Sequence, residues 1–144
     1  MKTETSVVIN RPVEDVFAVL SDFENNPTWS SAFLEAKKIS EGPIGVGTTW
    51  QGVGKFLGRR IEIEIKNTEY EPNRQFTQES KSPFPANQQI TFESVDGATR
   101  VNVTLEAEPG GFFKLAEPVF KSMAKRGIET DLANLKDLME AHAL

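Results

Sequence analysis

The chain has no cysteine. A disulfide scaffold, a thiol nucleophile, an iron–sulfur cluster and a cysteine-bound zinc are therefore excluded. Histidine is almost as scarce, with His142 standing alone near the end of the sequence. A histidine triad or a two-histidine metal site cannot be built within one copy, and no metal site is expected. No apolar run exceeds five residues, 16–20 (VFAVL), whereas a membrane span needs about 20. The opening MKTETS is polar and lacks the apolar stretch of a secretory signal. The expected location is the cytoplasm, with no stable membrane insertion. Basic residues are outnumbered 16 to 21, a net charge of −5, which argues against nucleic acid as a partner.

What is present is enough for one globular domain over residues 1–144. The 38 % hydrophobic and 26 % charged residues are ordinary for a folded chain that buries a core. Residues 3–9 are short and rich in β-branched side chains, and predict a first strand. Pro12 then opens a helix, since its missing N–H is not needed at the first helical position. Val13, Val16, Phe17 and Leu20 share one helical face. Ser21 and Glu24 have capping-box spacing and predict a second short helix near Asp22, ended by Pro27 and Trp29.

From there the period falls to two. Residues 48–56 are strand-like, and Ile61, Ile63 and Ile65 alternate strictly with charged residues. Residues 75–80 and 88–95 predict further strands. Asp96-Gly97 is a hairpin signal, followed by the alternating Val101, Val103, Leu105 and Ala107. Short turns without intervening helices imply antiparallel pairing. After Gly110-Gly111 the helical period returns: Phe113, Ala116, Phe120, Met123, Gly127, Asp131 or Leu132, Leu135 and Leu138 trace one stripe. Pro118 either begins this helix or kinks it. The predicted order is a strand, two short helices, roughly six strands and one long helix, an α+β fold.

Five stretches then carry a resemblance. They are residues 6–17 (SVVINRPVEDVF), 22–27 (DFENNP) with Trp29, 44–50 (IGVGTTW), 70–76 (YEPNRQF) and 135–140 (LKDLME). Together and in this order, the sequence resembles the START-like (SRPBCC) superfamily, in its polyketide cyclase/dehydrase-like branch. The resemblance implies a helix-grip fold: a curved antiparallel sheet of about seven strands, closed by the C-terminal helix over a hydrophobic cavity. It implies binding of lipids, sterols, polyketides or other apolar molecules, with only some members enzymes. The matching stretches are structural and bring no catalytic assignment.

The alternation places Trp50, Gly52, Gly54, Phe56, Ile61, Ile63, Ile65, Phe76, Gln78, Gln88, Ile90 and Phe92 on the inward face. The candidate ligand-binding residues are Trp29, Trp50, Gly54, Ile63, Phe76, Gln78, Gln88, Phe92, Phe120, Met123 and Gly127. Apolar walls with a few hydrogen-bonding groups are what a small-molecule pocket has; the alternative is a filled core. Gly54 either leaves room for a ligand or lets the sheet bend. Gly127 either lets the helix approach a strand or leaves space beneath it. Gln78 and Gln88 either bond a ligand, ordered water or each other, or reach solvent near the open end of the sheet. Glu62, Glu64, Glu93, Glu106 and Glu108 fall on the outward face, and Asp131 can tilt to solvent. No pair of carboxylates is placed in the cavity, so no catalytic residue is assigned. Lys114, Lys121 and Lys125 share a helix face, read as attraction to anionic headgroups or as a solvated face with a Glu117–Lys121 pair.

The expected function is binding of a hydrophobic or amphipathic small molecule between sheet and C-terminal helix, without a cofactor. One alternative is a cyclase or dehydratase that folds a reactive chain inside the cavity. The other is an interaction module with a filled core.

Overall fold

A computed structural model describes all 144 residues except the side chain of Phe112. The chain begins with strand β1 (Lys2–Ile9) and helix α1 (Val13–Ser21). A 3-10 turn (Phe23–Asn25) leads into the one-turn helix α2 (Asn26–Trp29). Six strands follow: β2 (Phe33–Lys38), β3 (Thr49–Phe56), β4 (Arg59–Glu71), β5 (Gln75–Ser80), β6 (Ala86–Val95) and β7 (Ala98–Ala107). One turn of helix, α3 (Phe112–Leu115), precedes the long α4 (Glu117–Glu140). The strands form one sheet in the order β1-β7-β6-β5-β4-β3-β2, antiparallel throughout. A curved seven-stranded sheet gripped by one long helix is the helix-grip fold.

Local details refine the sequence reading. Asp22, not Ser21, caps the 3-10 turn, accepting the Glu24 N–H at 3.1 Å, while Ser21 closes α1. Pro27 lies in the first turn of α2 rather than ending it, and Pro118 likewise begins α4 without a kink. The β6–β7 hairpin turns at Asp96 and Gly97, both at positive φ, and Leu57 and Gly58 make the same kind of turn between β3 and β4. Strand β4 continues past Lys66 to Glu71; Asn67 takes the next concave position after Ile65, and an irregularity between Asn67 and Glu69 then turns Tyr70 to the same face.

The concave face is filled at one end. Phe17 of α1 meets Phe92, Tyr70 and Phe76 edge-on, with ring centroids 5.1, 5.5 and 6.0 Å away. Leu132, Leu135 and Met139 of α4 join this cluster. Met139, not the expected Leu138, takes the core position in the last turn of α4. A smaller cluster of Phe23, Trp50 and Ile65 fills the β3–β4 side.

The glycines of β3 serve this packing rather than a cavity. A Cβ on Gly52 would stand 3.2 Å from the Phe23 ring, and one on Gly54 only 2.9 Å from the Ala32 carbonyl oxygen. Gly54 therefore lets the start of β2 lie against β3, where the Lys55 N–H donates to that same carbonyl.

The end of α4 is fastened to the β1–α1 connection. Arg11 donates to the Met139 and Leu144 carbonyls at 2.7 and 3.1 Å, as a cation at a helix C-terminus should. Lys136 donates to the Val8 carbonyl. Glu140 accepts from Lys136 and from the Asn10 N–H, which hold its carboxyl below the usual carboxylate range.

Gly54→Ala is expected to lose about 1–3 kcal/mol, because backbone must move to admit the methyl. The urea midpoint of unfolding checks this; an unchanged midpoint would show that β2 does not lie as close as described.

Candidate functional site

Beyond the filled end, α4 stands off the sheet. Its buried residues are Phe120, Asp131, Leu132, Leu135 and Met139, so four of the five belong to the second half. Met123 is 54 % exposed, and a Cβ on Gly127 would meet nothing within 4 Å. Beneath this stretch lies a cavity of about 410 Å³. Ile63, Ile65, Gln78, Gln88 and Leu105 form its floor, and Met123, Ala124, Gly127 and Ile128 its roof. A deeper chamber of about 110 Å³ shares Gln78, Gln88, Ile128 and Asp131 with it and reaches Trp29.

Phenylalanines gather at the outer end. Phe56 of β3, Phe84 of the β5–β6 loop, Phe113 of α3 and Phe120 of α4 lie with ring centroids 5.6–5.9 Å apart in their contacting pairs. Offset and edge contacts of this kind are favourable beyond the area they bury, and they join separate segments around the opening.

The floor carries a polar ladder. Asn67, Gln78 and Gln88 sit directly opposite one another on β4, β5 and β6. Gln78 Nε2 donates to Asn67 Oδ1 at 3.2 Å, and Asn67 Nδ2 donates to the Gly45 carbonyl at 3.1 Å. Asn67 and Gln78 are 1 % and 6 % exposed, so these bonds are shielded from water and fix the amides.

Asp131 faces the cavity instead of tilting to solvent. It is 9 % exposed and lines both chambers. Its carboxylate accepts from Ser30 Oγ at 2.7 Å and from Ser31 N and Oγ, each at 3.1 Å. Beside it, Asn134 Nδ2 donates to the Trp29 carbonyl at 2.9 Å. Together these bonds tie the middle of α4 to the link between α2 and β2.

The candidates divide accordingly. Ile63, Gln78, Gln88, Phe120, Met123 and Gly127 surround the larger chamber, and Trp29 the deeper one. Trp50, Phe76 and Phe92 lie elsewhere, packed into the two core clusters, because α1 and the 3-10 turn reach down onto that part of the sheet. Gly54 lines neither chamber; it faces the backbone at the start of β2. Asn67 and Phe84 escaped the sequence reading, and Asp131, read there as near the stripe and able to tilt to solvent, turns inward instead. For Asn67 a signal existed, since it extends the Ile61–Ile63–Ile65 alternation by one step. The Glu117–Lys121 pair does not form, and Glu117 instead meets the Met1 ammonium at 3.0 Å.

A family described as polyketide cyclase / dehydrase and lipid transport matches residues 1–140. The chain belongs to this family. Solved structures share the family's architecture at low identity. The protein TTHA0849 from Thermus thermophilus is 17 % identical with a TM-score of 0.83, covering 100 % of both chains. The Zhui aromatase/cyclase from Streptomyces sp. R1128 is 12 % identical with a TM-score of 0.79, over 100 % of this chain and 96 % of that one. A START superfamily protein from Mycobacterium smegmatis is 15 % identical with a TM-score of 0.71, over 98 % and 95 %. No curated protein matches the chain at a significant level. Among the described residues no helix is long and apolar enough to cross a membrane, and no cluster of His, Cys, Asp and Glu could hold a metal ion.

Removing the Asp131 carboxylate leaves the Ser30 hydroxyl and the Ser31 N–H without their acceptor. Asp131→Ala is expected to lower stability by about 2–3 kcal/mol, the scale of a hydrogen bond to a charged group. A urea midpoint equal to that of the parent chain would show that the tie contributes nothing.

Proposed function

We propose that this protein binds an apolar or amphipathic small molecule in the cavity between the concave sheet and α4. The observation that carries this reading is the space beneath Gly127, walled mainly by apolar side chains and floored by two amides. Its size of about 410 Å³ falls within the range of about 300–1,000 Å³ usual for small-molecule sites. The family's description, which includes lipid transport, agrees with such a ligand. Apolar contact would supply the affinity, and Gln78 and Gln88 would set the orientation.

The chemistry in that description would need a group free to exchange a proton with the bound molecule. Asp131 is the carboxylate shared by both chambers, and three donors already occupy its two oxygens. That carboxylate therefore serves to hold α4 in place, while Lys55 and Glu79 line the larger chamber alone.

A neutral fluorescent probe, N-phenyl-1-naphthylamine, tests the reading. It is expected to bind with micromolar affinity, about −8 kcal/mol, and to raise the melting temperature as it saturates the native state. Gly127→Leu should weaken the probe by about tenfold or more, since the new side chain occupies the space a ligand would fill. Its urea midpoint should hold or rise, because leucine is the better helix former. No saturable binding by the parent chain would overturn the reading. Normal binding by a destabilised Gly127→Leu would place the ligand elsewhere.

A further inference from the structure

The bonds on the cavity floor fix more than an orientation; they fix a polarity. Asn67 Nδ2 donates to a backbone carbonyl, so the other end of that amide is the acceptor, Oδ1. Gln78 must then present its Nε2 to Asn67, which leaves Gln78 Oε1 as an acceptor without a partner. Gln88, directly across from Gln78 on β6, is half-buried and makes no side-chain hydrogen bond among the described residues. Its amide offers both donors and an acceptor beside that oxygen. Both glutamines line both chambers. Among the described residues, the only charged side chain lining the deeper chamber is Asp131. The other charged groups around the cavity, Lys55, Glu79 and the Met1 ammonium, line only the larger chamber.

We propose, resting on the binding function above, that the ligand's inner end is a neutral hydroxyl, an alcohol or a phenol, held by Gln78 and Gln88, and that a carboxylate end is turned away. A hydroxyl donates to Gln78 Oε1 and accepts from Gln88 Nε2, satisfying both amides with one small group. A carboxylate has no proton for Gln78 Oε1. It would also bring a second negative charge into a poorly solvated chamber that already holds Asp131, where like charges repel strongly. The apolar body of the ligand then points toward the phenylalanines at the opening.

Three ligands of one shape test this: naphthalene, 2-naphthol and 2-naphthoate, each titrated at neutral pH in competition with N-phenyl-1-naphthylamine. The expected order is naphthol tightest, about fivefold or more over naphthalene, with naphthoate weakest, about tenfold or more below naphthol. Gln88→Leu should erase the advantage of naphthol over naphthalene, so that the ratio of their affinities falls to about one. Asp131→Asn, which keeps the shape of the side chain, should narrow the gap between naphthol and naphthoate. Equal binding of all three, or tightest binding of naphthoate, would overturn the inference and leave cavity binding standing. Failure of all three to displace a bound probe would instead remove the naphthyl site, and cavity binding as described with it.

Discussion

Everything at the site depends on how α4 is held. The helix is fastened at its C-terminal end by Arg11, Lys136 and Glu140, and at its middle by the Asp131 carboxylate against Ser30 and Ser31. A buried carboxylate is costly unless its oxygens are taken by donors, and here three donors take them. With these two points fixed, and its first turn tied to the Met1 ammonium through Glu117, the first half of α4 is held clear of the cavity floor. That is why small residues, Ala124 and Gly127, can face the floor across open space without the helix collapsing onto it. Phe120, stacked on Phe56 with centroids 5.9 Å apart, meets the sheet again at the outer end.

The division of the concave face follows from the same arrangement. One end receives α1 and the second half of α4, and packs tightly around Phe17, Phe76 and Phe92. The other receives the raised half of α4, with Phe84 and Phe113 gathered at the opening. Apolar walls attract without direction, so they set how strongly a ligand is held more than which way round. The amides are directional, and their direction traces back to the Gly45 carbonyl through Asn67. Backbone geometry in a loop between β2 and β3 is thereby transmitted across two strands to the cavity floor.

Much of this was legible in the sequence. Alternation marked the concave face of β3 to β7, the dipeptide Asp96-Gly97 marked its hairpin, and the stripe from Phe120 to Leu135 marked the gripping helix. Strand β2 was not legible, because it is short, lies at the sheet edge and alternates weakly in burial. Periodicity also could not say which inward residues meet a cavity and which meet another element. Trp50 and Phe76 have the same pattern as Ile63, and only the placement of α1 and the 3-10 turn separates them. Asp131 was ambiguous for a related reason: its partners, Ser30 and Ser31, lie 101 and 100 residues away in sequence, and no local pattern announces such a pairing.

The most direct test locates the bound molecule. Isotope-filtered NMR on methyl-labelled protein, saturated with N-phenyl-1-naphthylamine, reads which side chains lie beside it. Contacts to the methyl groups of Ile63, Leu105 and Ile128, which face one another across the cavity, are the expected result. Contacts confined to Leu115 and Val119, which are 87 % and 60 % exposed on the outside of the helical segment, would contradict a ligand held between the sheet and α4.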